Sequence, residues 1–231
     1  MPDKPPFDPR VPLLLLLSVT TGLVDAASVL GLGKVFTANM TGNIVFLGFA
    51  AAGAEGFVWP LFVAAIASFL IGALIGGKSG KAHVGRSERR WLVTSAAVET
   101  GLLWLAAVFA FGLGRNNPES GRTFAIIALT GLAMGYRNAT IRQMKVTDLT
   151  TTVLTLTLTG LAADSSAAGG TNPNWARRIS AVLAIFIGAG IGAALLLHFG
   201  LYAPLALAGA LVLFGTLLCV ANPAANATIK G

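Results

Sequence analysis

Residues 36–43, FTANMTGN, fall where a membrane-crossing segment is due, and how they are read decides the fold. The stretch is uncharged, but its two Thr, two Asn and one Gly are too polar and too poor in helix formers for an ordinary span. In hydrocarbon, irregular backbone survives only where it is buried in protein or lines a watery cavity. The stretch therefore reads as a break in a helix, and the question is what the break serves.

The rest of the chain makes the interruption conspicuous. With 231 residues, 55% hydrophobic and 11% charged, the composition excludes an ordinary soluble domain. Uncharged runs long enough to cross a bilayer recur at about 11–31, 57–77, 91–113, 123–140, 179–199 and 202–221. Two shorter Thr-rich apolar segments lie at about 36–52 and 149–166. The net charge of +7 does not indicate nucleic acid, because Lys and Arg gather in loops between spans, where orientation signals sit. Cys219, the single cysteine, lies inside an apolar run and reads as a packed core thiol, so neither a disulfide nor a Cys-based metal site is expected. The Leu-rich start resembles a signal peptide. However, its leading segment is net neutral and Asp25 precedes any suitable cleavage point, so it is taken as the first span.

The chain reads as one integral membrane domain over 1–231, with an internal repeat: about 11–113 and about 123–221. TGLVDAAS, beginning at Thr21, aligns with TGLAMGYR, beginning at Thr130, and FTANMTGN then falls on KVTDLTTT. IGALIGG (71–77) matches IGAGIGA (187–193). If both Thr-rich segments turn back, there are six spans in two inverted halves; if both cross, there are eight spans in two parallel halves. The six-span model puts thirteen of the 16 Lys and Arg inside and three outside, against nine and seven for the best eight-span model. The expected fold is thus an all-α polytopic membrane protein of two inverted repeats of three spans, each with a Thr-rich broken or re-entrant segment. Both termini are then cytoplasmic.

Paired discontinuous segments in inverted halves point to a transporter binding site. The expected pore-lining or substrate-binding residues are Thr37, Asn39, Thr41, Gly42 and Asn43, with Asn138, Asp148, Thr150, Thr151, Thr152 and Thr155 in the second half. A half-helix beginning near Asn43 would turn its free N–H groups toward an anionic or carbonyl-bearing group. Taken singly, each Thr or Asn is better explained by hydrogen bonds between helices or to its own helix, and only the two segments together favour the cavity. Intramembrane charges are functional candidates. Asp25 lies deep in the first span, Glu99 near the middle of the third, and Arg137 at the inner end of the fourth. Glu99 is the first candidate for a proton carrier, and Asp25 with Arg137 for a gate or binding pair.

Other features are plainer. Ser68, Gly72 and Gly76, like Ala184, Gly188 and Gly192, put small residues on one helix face, which suits packing between the halves or a homo-oligomer seam. Trp59, Trp91, Trp175 and Tyr202 read as interfacial anchors. No cluster of His, Asp and Glu has ligand spacing, so no metal and no cofactor is expected, and the partners are the lipid bilayer and a small-molecule substrate.

GLVDAASVLGLGKVFTANMTGN and GYRNATIRQMKVTDLTTT resemble the YoaK-like family of bacterial inner-membrane proteins over roughly residues 11–221. The residues that carry the resemblance are Asp25, Asn39 to Asn43, Asn138, Ala139 and Thr150 to Thr152. The family often has Gln where this chain has Arg137. The resemblance implies a bacterial plasma-membrane protein with a transport role and no established substrate. A secondary transporter of a small polar or anionic solute, with proton coupling through Glu99 or Asp25, is the leading function. A channel-like pore and a non-transporting scaffold are the alternatives. With no Ser–His–Asp arrangement, His-Glu-x-x-His pair or phosphate-binding loop, an enzyme is not expected.

Overall fold

A computed structural model describes residues 8–85, 87–113, 120–144 and 154–222. They form eight α-helices in chain order: α1 Arg10–Gly31, α2 Met40–Ala51, α3 Trp59–Ala82, α4 Glu88–Ala110, α5 Gly121–Met144, α6 Leu154–Ala163, α7 Trp175–Phe199 and α8 Tyr202–Ala221. A 3₁₀ turn at Ser166–Ala168 follows α6. Five helices, α1, α3, α4, α7 and α8, are long and apolar enough to cross a membrane. The fourth expected span, 123–140, is α5, 24 residues long but diluted by Arg122, Arg137, Asn138, Arg142 and Gln143. It survives that polarity by lying inside the bundle against α3 and α4. The Thr-rich segments contribute α2 and α6, with 12 and 10 residues. At 1.5 Å per residue these reach about 18 and 15 Å, short of a bilayer core of about 30 Å.

Local chemistry sets the ends. Pro60 near the start of α3 has no N–H to leave unpaired. Gly33 and then Lys34 take positive φ just after α1 and stop it. Arg122 of α5 donates to the last carbonyls of α4, Phe109 at 2.6 Å and Phe111 at 2.6 Å, pinning that turn. Buried hydroxyls within spans return to carbonyls of their own helix, as Ser18 does to Leu14 and Thr130 to Ile126.

The glycine stripes pack helices within the chain. A Cβ on Gly72 would meet Leu132 O at 2.2 Å, and one on Gly76 would meet Tyr136 O at 2.7 Å. On α7, Gly188 meets Val19 O at 2.0 Å and Gly192 the Leu23 Cα at 2.9 Å. In return Gly135 abuts Phe69 O at 2.0 Å, and Gly22 abuts Ile185 O at 2.3 Å. So α3 lies parallel to α5, and α7 parallel to α1, each at backbone contact. The two contacts match position by position: Val19, Gly22 and Leu23 correspond to Leu132, Gly135 and Tyr136. GLVDA (22–26) is thus set against α7 as GYRNA (135–139) is set against α3, one helical turn away from the expected alignment of Thr21 with Thr130. Trp91 also departs from expectation. It is 2% exposed, whereas Trp59 and Trp175 are 59% and 56% exposed, as anchors at a membrane surface would be.

Candidate functional site

The ion pair at the centre joins α4 to α5. Arg137 donates through both Nε and Nη2 to Oε1 of Glu99, the first bond at 2.6 Å. Its Nη1 reaches α1, at 3.2 Å from Leu17 O and 3.1 Å from Thr21 Oγ1. Arg137 is 1% and Glu99 4% exposed. Burial of this kind is costly unless charge meets charge and the donors are satisfied; here the charges meet, and four hydrogen bonds serve all three nitrogens of the guanidinium. Glu99 lies eleven residues into α4, about 16 Å from its start and near its midpoint. A cavity of about 20 Å³ adjoins the pair, lined by Ser95, Thr140 and Thr216 together with apolar residues of α1, α4, α5 and α8.

The expected pairing of Asp25 with Arg137 is therefore corrected. Thr21, one turn earlier on α1, takes the guanidinium, while Asp25 turns to the break and receives the Asn39 side-chain amide. The reason is reach: Arg137 lies closest to Glu99 on the neighbouring α4, and the chain beyond α1 folds back over Asp25.

The break is tightly held. Asn43 is fully buried and bonds the backbone of Phe36 on both sides, accepting from its N–H at 2.9 Å and donating to its C=O at 2.6 Å. Its amide thus replaces a strand neighbour for one unwound residue. Gly42 lies under the Phe36 ring, where a Cβ would come within 2.6 Å. Thr37 is buried and its hydroxyl has no protein partner. Thr41, on the outer side of α2, and Thr155 of α6 are exposed. Asn138 donates to Met134 O at 2.8 Å. Asp148, Thr150, Thr151 and Thr152 lie outside the described residues. The half-helix α2 begins at Met40, three residues before the expected point, with Asn39 as its cap residue.

The structure thus groups the candidates into two sets, Asp25 with Asn39 and Glu99 with Arg137. Reading the sequence missed Thr21, Ser95, Thr140 and Thr216 around the second. Ser95 had a signal: Glu88, Trp91, Ser95 and Glu99 recur at spacings of three and four, which marks one helix face. Among the described residues, no group of three or more His, Cys, Asp or Glu is placed to hold a metal ion. At the end of the bundle that holds the start of α1, Arg10 bonds Asp8 at 2.8 Å and approaches Glu88 at 3.7 Å. The Arg10 guanidinium holds the Asp8 carboxyl below its ordinary range.

The chain is 34% identical over 165 residues to UPF0700 transmembrane protein YoaK of Bacillus subtilis (strain 168), covering 68% of each protein. No solved structure matches. Residues 13–218, which run from the first turn of α1 to the last of α8, match the family model described as Protein of unknown function (DUF1275). With that match spanning every element that builds the central pair, the chain belongs to the DUF1275 family of multi-pass membrane proteins.

Proposed function

We propose that this protein is a secondary transporter of a small polar or anionic solute, built from two inverted repeats of three spans in the bacterial plasma membrane. The observation that carries the reading is the buried Glu99–Arg137 pair, set beside a small cavity where α1, α4, α5 and α8 meet. Intramembrane charges in such a position mark solute or proton pathways.

The repeat is supported by the pattern of helix neighbours. Exchanging α1 with α5, α2 with α6, α3 with α7 and α4 with α8 leaves that pattern unchanged: α1 on α7 becomes α5 on α3, and α1 on α8 becomes α5 on α4. The starts of α1 and α4 adjoin each other through Arg10 and Glu88, the ends of α3 and α5 meet through Gln143 and Gly77 O, and Leu13, Leu92 and Met144 line one cavity, which sets the end of α5 beside the two starts. Equivalent helices therefore run in opposite directions. Inverted repeats place a solute site near the bilayer midplane, between the halves, which is where Arg137 meets Glu99. The short α2 and α6 read as the re-entrant halves of the broken segments.

Arg137 supplies a permanent charge in a planar fork suited to carboxylate-like groups. An anionic solute displaces Glu99 from it, and a proton taken up by Glu99 keeps the exchange neutral. The α1–α7 and α3–α5 pairs, locked at glycine contacts, move as rigid bodies around this point. The reading places the Arg10 and Glu88 end, with both termini, on the cytoplasmic side, and it makes the chain a carrier and not an enzyme.

The test is counterflow in proteoliposomes loaded with acetate, lactate, succinate or phosphate. Saturable exchange of at least one probe, abolished by Arg137→Gln, is expected. Tight vesicles that exchange none of the four would overturn the assignment, and conductive currents without saturation would replace it with a channel.

A further inference from the structure

Four buried side-chain polar atoms among the described residues have no hydrogen-bond partner in the protein, and they fall into two groups. Trp91 Nε1 and Ser95 Oγ lie on α4 between Glu88 and Glu99, while Asp25 Oδ1 lies on α1 and Thr37 Oγ1 in the break that follows it. The Glu99–Arg137 pair separates the groups. On α4, Glu88, Trp91, Ser95 and Glu99 share one face, and each is less than a tenth exposed. Ser95 opens on the cavity of about 20 Å³ that Glu99, Arg137, Thr140 and Thr216 also line. Its walls are mostly apolar, but the volume admits one water, and Ser95, Thr140, Thr216 and the ion pair supply the few polar partners that a water needs. On the other side, Asp25 is one turn beyond Thr21, which holds Arg137, and its second oxygen accepts from Asn39.

Buried polar atoms without protein partners are rare, and internal water is their usual partner. Their alignment above and below one ion pair is not accounted for by packing. We infer that they mark a hydrated polar track in two arms, giving water and protons access to Glu99 along α4 and to Arg137 from the break at Asp25 and Thr37. A proton arriving on a water in the cavity passes to the Glu99 carboxylate, the water is replenished along the arm, and Arg137 keeps its charge on Leu17 O, Thr21 Oγ1 and water reaching it from the second arm. The charged and titratable groups facing the α4 arm are Arg10 and Asp8 from the start of α1, Cys219 from α8 and Arg137 from α5. At Glu99, α1 and α8 present the uncharged Leu17, Thr21, Val212 and Thr216. The inference rests on the bilayer placement proposed above, but not on any solute being carried.

Radiolytic hydroxyl labelling of the full chain in nanodiscs tests it, because radicals made in place mark side chains beside internal water. Trp91 is expected to be modified several-fold faster than Met134, which is as deeply buried but lies outside the track. In a Cys219→Ala background, the thiols introduced by Ser95→Cys and Thr37→Cys are expected to oxidise several-fold faster than the one introduced by Ser18→Cys. Ser18, equally buried, is satisfied by Leu14 O at 2.9 Å. A Trp91 as silent as Met134, or equal rates for the three thiols, overturns the track even where counterflow is intact. If a thiol variant fails to fold, the contrast between Trp91 and Met134 in the unaltered chain still decides. Labelling as expected with no counterflow of any probe leaves the track standing and removes the transport reading.

Discussion

Asn43 explains why a chain so apolar tolerates FTANMTGN: one buried amide meets both backbone groups of Phe36 that the break sets free. Asn43→Ala leaves that N–H and C=O unpaired, at about 1–3 kcal/mol for each group. A matching fall in unfolding free energy in detergent is expected. Glu99 is a sharper case. Glu99→Gln leaves the Arg137 charge buried without its partner, at a cost of about 3–5 kcal/mol. Replacing both residues by Met and Leu is expected to restore stability in the same unfolding measurement while abolishing counterflow. If the double variant still transports, the pair is structural. At the start of α1, Arg10 lowers the folded-state pKa of Asp8. Its contribution is thus present above the ordinary carboxylate range and lost as pH falls through the lowered value. The stability difference between the unaltered chain and Asp8→Asn is therefore expected to vanish on acidification.

Between elements, backbone contact replaces interlocking side chains. Gly188 and Gly190 lie two residues apart on α7, yet a Cβ on the first would meet Val19 O at 2.0 Å, and one on the second meets nothing within 4 Å. Gly188→Ala is expected to push α1 from α7 and lower the melting temperature. Gly190→Ala is expected to leave it unchanged or raise it, since Ala is favoured over Gly inside a helix by about 1 kcal/mol. Equal effects of the two would remove the close contact as a source of stability. The aromatic cluster of Phe36, Phe46, Phe57 and Phe62 provides the corresponding hold between the break, α2 and α3.

For the whole molecule the decisive quantity is orientation. In a Cys219→Ala background, single cysteines at Glu55, Ser87 and Gly169 report on the loops after α2, before α4 and after α6. An impermeant thiol reagent on intact cells is expected to label position 55 and to spare 87 and 169 until the cells are opened. Labelling of 169 in intact cells would make the halves parallel and remove the midplane site from between inverted repeats.

Composition and hydropathy alone determined that the chain is helical and membrane-spanning, because a run of apolar residues long enough to cross a bilayer needs no partner to be recognised. The break at FTANMTGN, the small-residue stripes and the buried charges Asp25, Glu99 and Arg137 were equally visible, each being a local departure from that background. Partnership was not visible. Arg137 answers Glu99 at a sequence distance no local pattern encodes, and Asp25, the nearer match by repeat position, turns instead to Asn39. The register between neighbouring helices was hidden for the same reason: many apolar alignments score alike in sequence, whereas a glycine meeting a backbone carbonyl at about 2 Å from its missing Cβ admits one register. Sequence determined which residues are unusual for a membrane, and tertiary packing decided which of them meet, because burial of a charge is tolerable only where a second helix brings the countercharge within hydrogen-bond reach.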